Sequence, residues 1–88
     1  MKETINRIKN MESVFDFLQK MVKEKSVSVC SEDWFRIHLN NLLTYYEGGQ
    51  WLADYQLDER GGIPENLKRG VLSQDAVYNF LAYISDYL

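Results

Sequence analysis

The sequence predicts an all-α domain, because three stretches carry apolar side chains at helical spacing and the second and third of them follow a serine. A chain of 88 residues has room for a single core, so we treat residues 1–88 as one domain. We expect a compact bundle of three main helices at about 3–24, 31–47 and 74–87. A short helix at about 50–59 and a glycine- and proline-containing corner are expected between the last two.

The first helix is predicted from a stripe of apolar side chains that step by three and four. The stripe is Ile8, Met11, Phe15, Leu18 and Val22, widened by Ile5, Val14, Phe17 and Met21. Such a helix is ~33 Å long at 1.5 Å per residue, whereas a compact chain of this size is roughly 30 Å across. We therefore expect it to span the molecule, with its ends projecting or a second subunit covering part of its length.

The segment Ser26–Ser31 reads SVSVCS and alternates valine with serine, which predicts an extended connector. Pairing of this segment with the same segment of a second copy, through open strand edges, is an alternative. Ser31, followed by Glu32 and Asp33, is the predicted amino-terminal cap of the second helix.

The remaining helices follow the same spacing. The predicted core faces are Phe35, Leu39, Leu42 and Tyr46, then Trp51, Leu52 and Tyr55, then Val77, Leu81, Ile84 and Leu88, with Leu67, Val71 and Leu72 filling the core between them. Gly48 and Gly49 are expected to end the second helix, and Ser73 to cap the last one.

Composition excludes several classes of function. The net charge is −3, and residues 1–25 carry six Lys or Arg against four Asp or Glu. No clustered basic face is present for nucleic acid, and no apolar run is long enough to cross a membrane. We expect a cytoplasmic protein that binds neither.

The single cysteine and the single histidine do not predict a catalytic pair. Cys30 has no second cysteine for a disulfide, and the one base available to activate it is His38, eight residues later. We expect Cys30 to be a small buried apolar residue and His38 to pack through its ring. No catalytic residue and no cofactor is predicted.

The segment from Gly48 to Pro64 contains the best candidates for a polar site. Asp54, Asp58 and Glu59 are weak metal candidates, since three close carboxylates can hold a cation or act as acid and base. An EF-hand count from Asp54 fails, because Glu59 stands where the sharp turn needs glycine. We expect Lys68 and Arg69 to pair with these acids across the corner, and a basic spot for a phosphate or an acidic partner is the alternative.

The same region carries a resemblance to a known family. Tyr45-Tyr46, Gly49-x-Trp51-Leu52-x-Asp54-Tyr55-x-x-Asp58-Glu59, Gly62-Ile63-Pro64 and Leu67-Lys68-Arg69-Gly70-Val71-Leu72-Ser73-x-Asp75 resemble a small bacterial family of domains of unknown function, DUF4298. The resemblance runs from about Tyr45 to Leu81. It implies a compact helical bacterial protein without an assigned activity.

The surplus of aromatic side chains favours a protein partner, because Tyr and Trp are common anchors of interfaces. The sequence therefore predicts a non-enzymatic interaction or regulatory module that self-associates, with the second copy as one candidate partner. The candidate interaction or corner residues are Tyr45, Tyr46, Trp51, Asp54, Tyr55, Asp58, Lys68 and Arg69. The alternative is a small-ligand site, a divalent-metal site or a hydrolytic centre at Asp54, Asp58, Glu59, Lys68 and Arg69.

Overall fold

The computed structural model describes residues 2–88, and the fold in that range is all-α, as predicted. The four α-helices are α1 (Lys2–Lys25), α2 (Asp33–Glu47), α3 (Gln50–Glu59) and α4 (Gln74–Ile84), and three short 3-10 helices cover Val27–Ser31, Gly70–Leu72 and Ser85–Tyr87. Gly49, at φ 97°, supplies the predicted left-handed stop between α2 and α3.

The prediction of an extended connector is wrong, because Val27–Ser31 is a 3-10 helix. Val29 and Cys30 are both buried there, and an extended chain would direct these consecutive side chains to opposite faces. The Ser31 cap is also wrong: its hydroxyl donates to the Ser28 carbonyl at 3.0 Å, and Glu32 occupies the cap position of α2.

The core lies between α1, α2 and α4. It is made mainly of the predicted apolar residues, but a few residues predicted to be buried are exposed or replaced by a neighbour. Phe15 of α1 meets Phe80 of α4 edge to face, with the ring centroids 5.7 Å apart. Tyr45 is buried in α2 where Tyr46 was expected. Leu52 and Leu88, both predicted to be internal, are 50% and 51% exposed.

The molecule is elongated along α1. Its principal dimensions are 38 × 20 × 19 Å, and a helix of 24 residues is about 36 Å long at 1.5 Å per residue. The helix therefore spans the whole length of the molecule, as its predicted length indicates.

A buried carboxylate that the sequence did not predict fixes the segment Gly70–Leu72 to α1. Glu12 is 7% exposed, and its Oε1 accepts the backbone N–H of Val71 at 2.7 Å. A Cβ atom on Gly70 would lie 3.2 Å from the other carboxylate oxygen, so glycine leaves the space that Glu12 needs. The Val71 carbonyl accepts the indole N–H of Trp51 at 2.7 Å, which satisfies both backbone groups of Val71.

Replacement of Glu12 by alanine is expected to lower the free energy of unfolding by about 1 to 3 kcal/mol, because it leaves the buried N–H of Val71 without an acceptor. Glu12→Gln keeps an acceptor and should cost less. Urea denaturation measures both, with Glu24→Ala on the exposed side of α1 as a control that should stay within about 0.5 kcal/mol of the parent. Equal losses for Glu12→Ala and Glu24→Ala would contradict this role.

Candidate functional site: the corner and an exposed aromatic face

Asp54 points into the protein and not towards Lys68 and Arg69, so that predicted pairing is wrong. Its two oxygens accept from Arg7 of α1, at 2.9 Å from Nε and 2.5 Å from Nη2. The Tyr45 hydroxyl donates to Oδ2 at 2.7 Å. The Asp54 side chain is 2% exposed. The physical reason is its position: Asp54 lies three residues after the buried Trp51, on the face of α3 that meets α1 and α2.

These contacts tune the neighbouring groups. Burial, followed by the hydrogen bond to Asp54 and by its charge, raises the pKa of Tyr45 well above its ordinary value. The hydrogen bond to Asp54 also raises the pKa of Arg7, against an opposing effect of burial. The arrangement is therefore a structural ion pair in which Tyr45 stays protonated.

Asp58 makes the predicted pair with Arg69, and this pair closes the corner. The Arg69 guanidinium donates to Asp58 and to the Pro64 carbonyl, and its Nε donates to the Leu67 carbonyl at 3.2 Å. One arginine therefore ties α3 to both sides of the turn that Pro64 opens.

Lys68 does not take part in the corner. Its ammonium lies 3.4 Å from Asp16 of α1, and the two side chains are 79% and 51% exposed. An ion pair so open to water contributes about 0 to 1 kcal/mol. The prediction that Lys68 pairs with the acids of α3 is thus wrong, and the pair it forms instead is weak.

The acids of α3 do not converge on a common point. Asp54 is directed to Arg7, and Asp58, one turn later, is directed to Arg69. Within residues 2–88 no group of three His, Cys, Asp or Glu side chains is arranged to hold a metal ion. Glu59 is exposed at the end of α3.

The aromatic residues of the corner form a stack. Trp51 lies nearly parallel to Tyr55, with centroids 5.1 Å apart and 17° between the planes, and meets Tyr46 edge to face at 5.1 Å. Trp51 is 8% exposed and both tyrosines are half-buried. These predicted interaction residues mainly pack α2 against α3.

Cys30 and His38 make different contacts. Cys30 is fully buried, its carbonyl accepts from Arg36 Nε at 3.1 Å, and burial raises the pKa of its thiol. His38 is half-buried and packs through its ring against Phe17, as its position on α2 predicts, with centroids 5.2 Å apart.

The exposed aromatic face, as we name it, is a group of side chains across α1 and α2. It consists of Phe17, Trp34, Ile37 and His38. Phe17 is 36% exposed, Trp34 37% and Ile37 62%. The Phe17 ring meets Trp34 edge to face at 5.9 Å. A groove of about 290 Å³, lined by Ser13, Val14, Phe17 and His38, lies beside it.

Sequence reasoning assigned none of these four residues to a binding surface. Phe17 was expected to widen the buried stripe of α1, and His38 to pack through its ring. Ile37 carried a usable signal: it lies outside the spacing of Phe35, Leu39 and Leu42, so a helix that buries those three must expose it.

Comparison with known protein families gives a match over most of the chain. The family model of Domain of unknown function (DUF4298) matches residues 8–87, which extends the resemblance predicted for Tyr45–Leu81 over most of α1 as well. No curated protein and no solved structure matches the chain significantly. In the part of the chain that the structure describes, no helix combines the length and the apolar character needed to cross a membrane.

The raised pKa of Tyr45 predicts a loss of stability in alkali. The folded protein retains the phenolic proton above about pH 10, where an unfolded tyrosine releases it, so stability falls as pH rises through that value. At pH 7 Tyr45→Phe should cost about 1 to 2 kcal/mol. That difference from the parent should be constant up to about pH 10 and shrink above it.

Urea denaturation of both proteins between about pH 7 and pH 11 measures this difference. Tyr78→Phe, at a tyrosine that is 64% exposed, is the control and should leave stability unchanged. A Tyr45→Phe difference that stays constant to about pH 11 would show that Tyr45 titrates alike in both states.

Proposed function

The chain belongs to the family Domain of unknown function (DUF4298), and we propose that it is a non-enzymatic protein-interaction module of the bacterial cytoplasm that binds its partner through the exposed aromatic face. The observation that carries this proposal is that the exposed Phe17 and Trp34 meet across α1 and α2, with the exposed Ile37 one helical turn after Trp34. Contiguous apolar surface of this kind is characteristic of binding sites on globular proteins.

The composition of the face suits a protein partner. Trp and Phe bury a large area each and are enriched at the centre of interfaces, where they provide most of the binding energy. Ile37 is three residues after Trp34 and is therefore its neighbour on the surface of α2. The exposed Ser13 lines the groove beside the face, and the exposed Asn41 is one helical turn after Ile37, so both supply polar side chains for a rim.

The face is also held in place before any partner binds. Phe17 contacts two rings of α2, Trp34 at 5.9 Å and His38 at 5.2 Å, and Trp34 contacts the buried Phe35 at 6.1 Å. Each ring therefore has a neighbour that restricts it. Because little side-chain entropy is left to lose, binding here costs less than it would on a flexible surface.

The corner is a weaker candidate for binding. A cation at Asp54 would have to displace Arg7 and Tyr45, and an anion at Arg69 would have to displace Asp58 and two carbonyl groups. A ligand at either place would have to replace the contacts that it breaks and also lose its own hydration. The geometry therefore favours the aromatic face over the small-ligand, metal or hydrolytic alternative.

Photo-cross-linking in the native cell tests the proposal. A photoreactive amino acid at position 37 is expected to form a specific protein adduct, because position 37 is the most exposed of the three apolar positions in the face. The same amino acid at position 52, an apolar position on α3 that is 50% exposed, should give none. Equal labelling at both positions, or no adduct at position 37, would argue against the aromatic face as a binding surface.

A further inference from the structure

We propose that the partner on the exposed aromatic face is a second copy of the chain, packed so that α1 of each copy lies on α2 of the other. This inference rests on the proposed function, since it names the occupant of the same surface. Three observations support it. They are the heights of charged residues, by which we mean their positions along the axes of α1 and α2, the distribution of charge, and the size of the side of the molecule that carries the face.

The heights of Lys20 and Asp33 along the helix axes follow from the contacts of Phe17. α1 and α2 are joined by the short segment 26–32 and run antiparallel, and Phe17 meets both Trp34 and His38. Lys20 is three residues after Phe17 on α1. Asp33 is three residues before position 36, which is midway between Trp34 and His38 on α2. Lys20 and Asp33 therefore lie at the same height, on either side of the face.

Both of these charged groups are open to a partner. Lys20 and Asp33 are exposed, and neither is among the ion pairs formed within residues 2–88. A two-fold axis parallel to the helices keeps heights unchanged and exchanges the two sides of the face. It would bring Lys20 of each copy to Asp33 of the other, and Phe17 of each copy to Trp34 and Ile37 of the other.

The overall charge of the two helices agrees with this arrangement. Residues 2–25 contain six Lys or Arg and four Asp or Glu, whereas residues 32–47 contain one Arg and three Asp or Glu. When α1 of each copy lies on α2 of the other, a net positive helix meets a net negative helix at both of the two equivalent contacts. A two-fold axis perpendicular to the helices would instead set α1 of one copy on α1 of the other. The two helices in contact would then carry net charge of the same sign.

The side of the molecule that carries the face is large enough for a stable dimer, provided that the contact extends beyond the four residues of the face. Stable interfaces bury about 800 Å² on each partner. The long side of the molecule measures 38 by 20 Å, which is an area of that order. A rim with both signs, placed symmetrically about an apolar centre, fits a copy of itself better than a partner of a single charge.

Sedimentation equilibrium of the full chain over low to high micromolar concentration is the first test. The parent should dimerise, and Ile37→Lys should weaken the dimer about 100-fold or more, because two buried isoleucines are replaced by charges. Lysine at position 37 is one turn after Asp33, a favourable spacing, so the monomer should still fold, which circular dichroism verifies. Leu52→Lys is the matched control and should dimerise like the parent. A parent that stays monomeric, or equal weakening by both variants, would overturn the proposal.

A charge exchange tests the packing itself. Lys20→Glu and Asp33→Lys should each weaken self-association about tenfold or more, since each places like charges together at two points. An equimolar mixture of the two variants should recover the affinity of the parent, because only the mixed dimer pairs opposite charges at both points. Two variants that associate no better together than apart would overturn this arrangement of α1 on α2.

The adduct formed at position 37 separates this proposal from the one on which it rests. An adduct between position 37 of one copy and α1 of a second copy supports the dimer. An adduct to a different protein, with a monomeric parent, overturns the dimer and leaves the interaction module standing. The absence of any adduct removes the proposed function, while a dimer measured by sedimentation would then have to use another surface.

Discussion

The carboxylate of Asp54 is the constraint on which the rest of the structure depends. A charge that is 2% exposed is tolerated only when a cation and hydrogen-bond donors surround it. The cation comes from Arg7, near the start of α1, and the donor from Tyr45, near the end of α2. A single side chain of α3 thereby fixes the relative position of the two longest helices at one end of the molecule.

The opposite end is fixed by apolar contacts. The 3-10 helix Val27–Ser31 buries Val29 and Cys30, and Arg36 of α2 holds its last turn through the Cys30 carbonyl. Between these two ends lies the seam of α1 and α2, and the exposed aromatic face is on its outer side. The seam on which the face lies is thus held by buried contacts at both ends.

Sequence reasoning succeeded where the physical cause was local. Helical periodicity predicted the four helices, and Asp58 and Arg69, eleven positions apart across one turn, were expected to pair and do so. It failed where the cause was distant. Arg7 lies 47 positions from Asp54, and Glu12 lies 59 positions from Val71, and no spacing rule connects such residues. The prediction of an extended connector failed for another reason. Alternation of valine and serine predicts an extended chain, but burial of the two consecutive residues Val29 and Cys30 overrides that preference.

The Arg7–Asp54 pair acts as one unit that fixes α1 relative to α3. A double-mutant cycle with Arg7→Ala and Asp54→Ala, read by urea denaturation, tests it most directly. The double variant should lose about 1 to 3 kcal/mol less than the sum of the two single losses, because each single variant already breaks the pair. The exposed pair of Lys68 and Asp16 serves as a control cycle and should be additive within about 0.5 kcal/mol. Additive losses for Arg7 and Asp54 would contradict the claim.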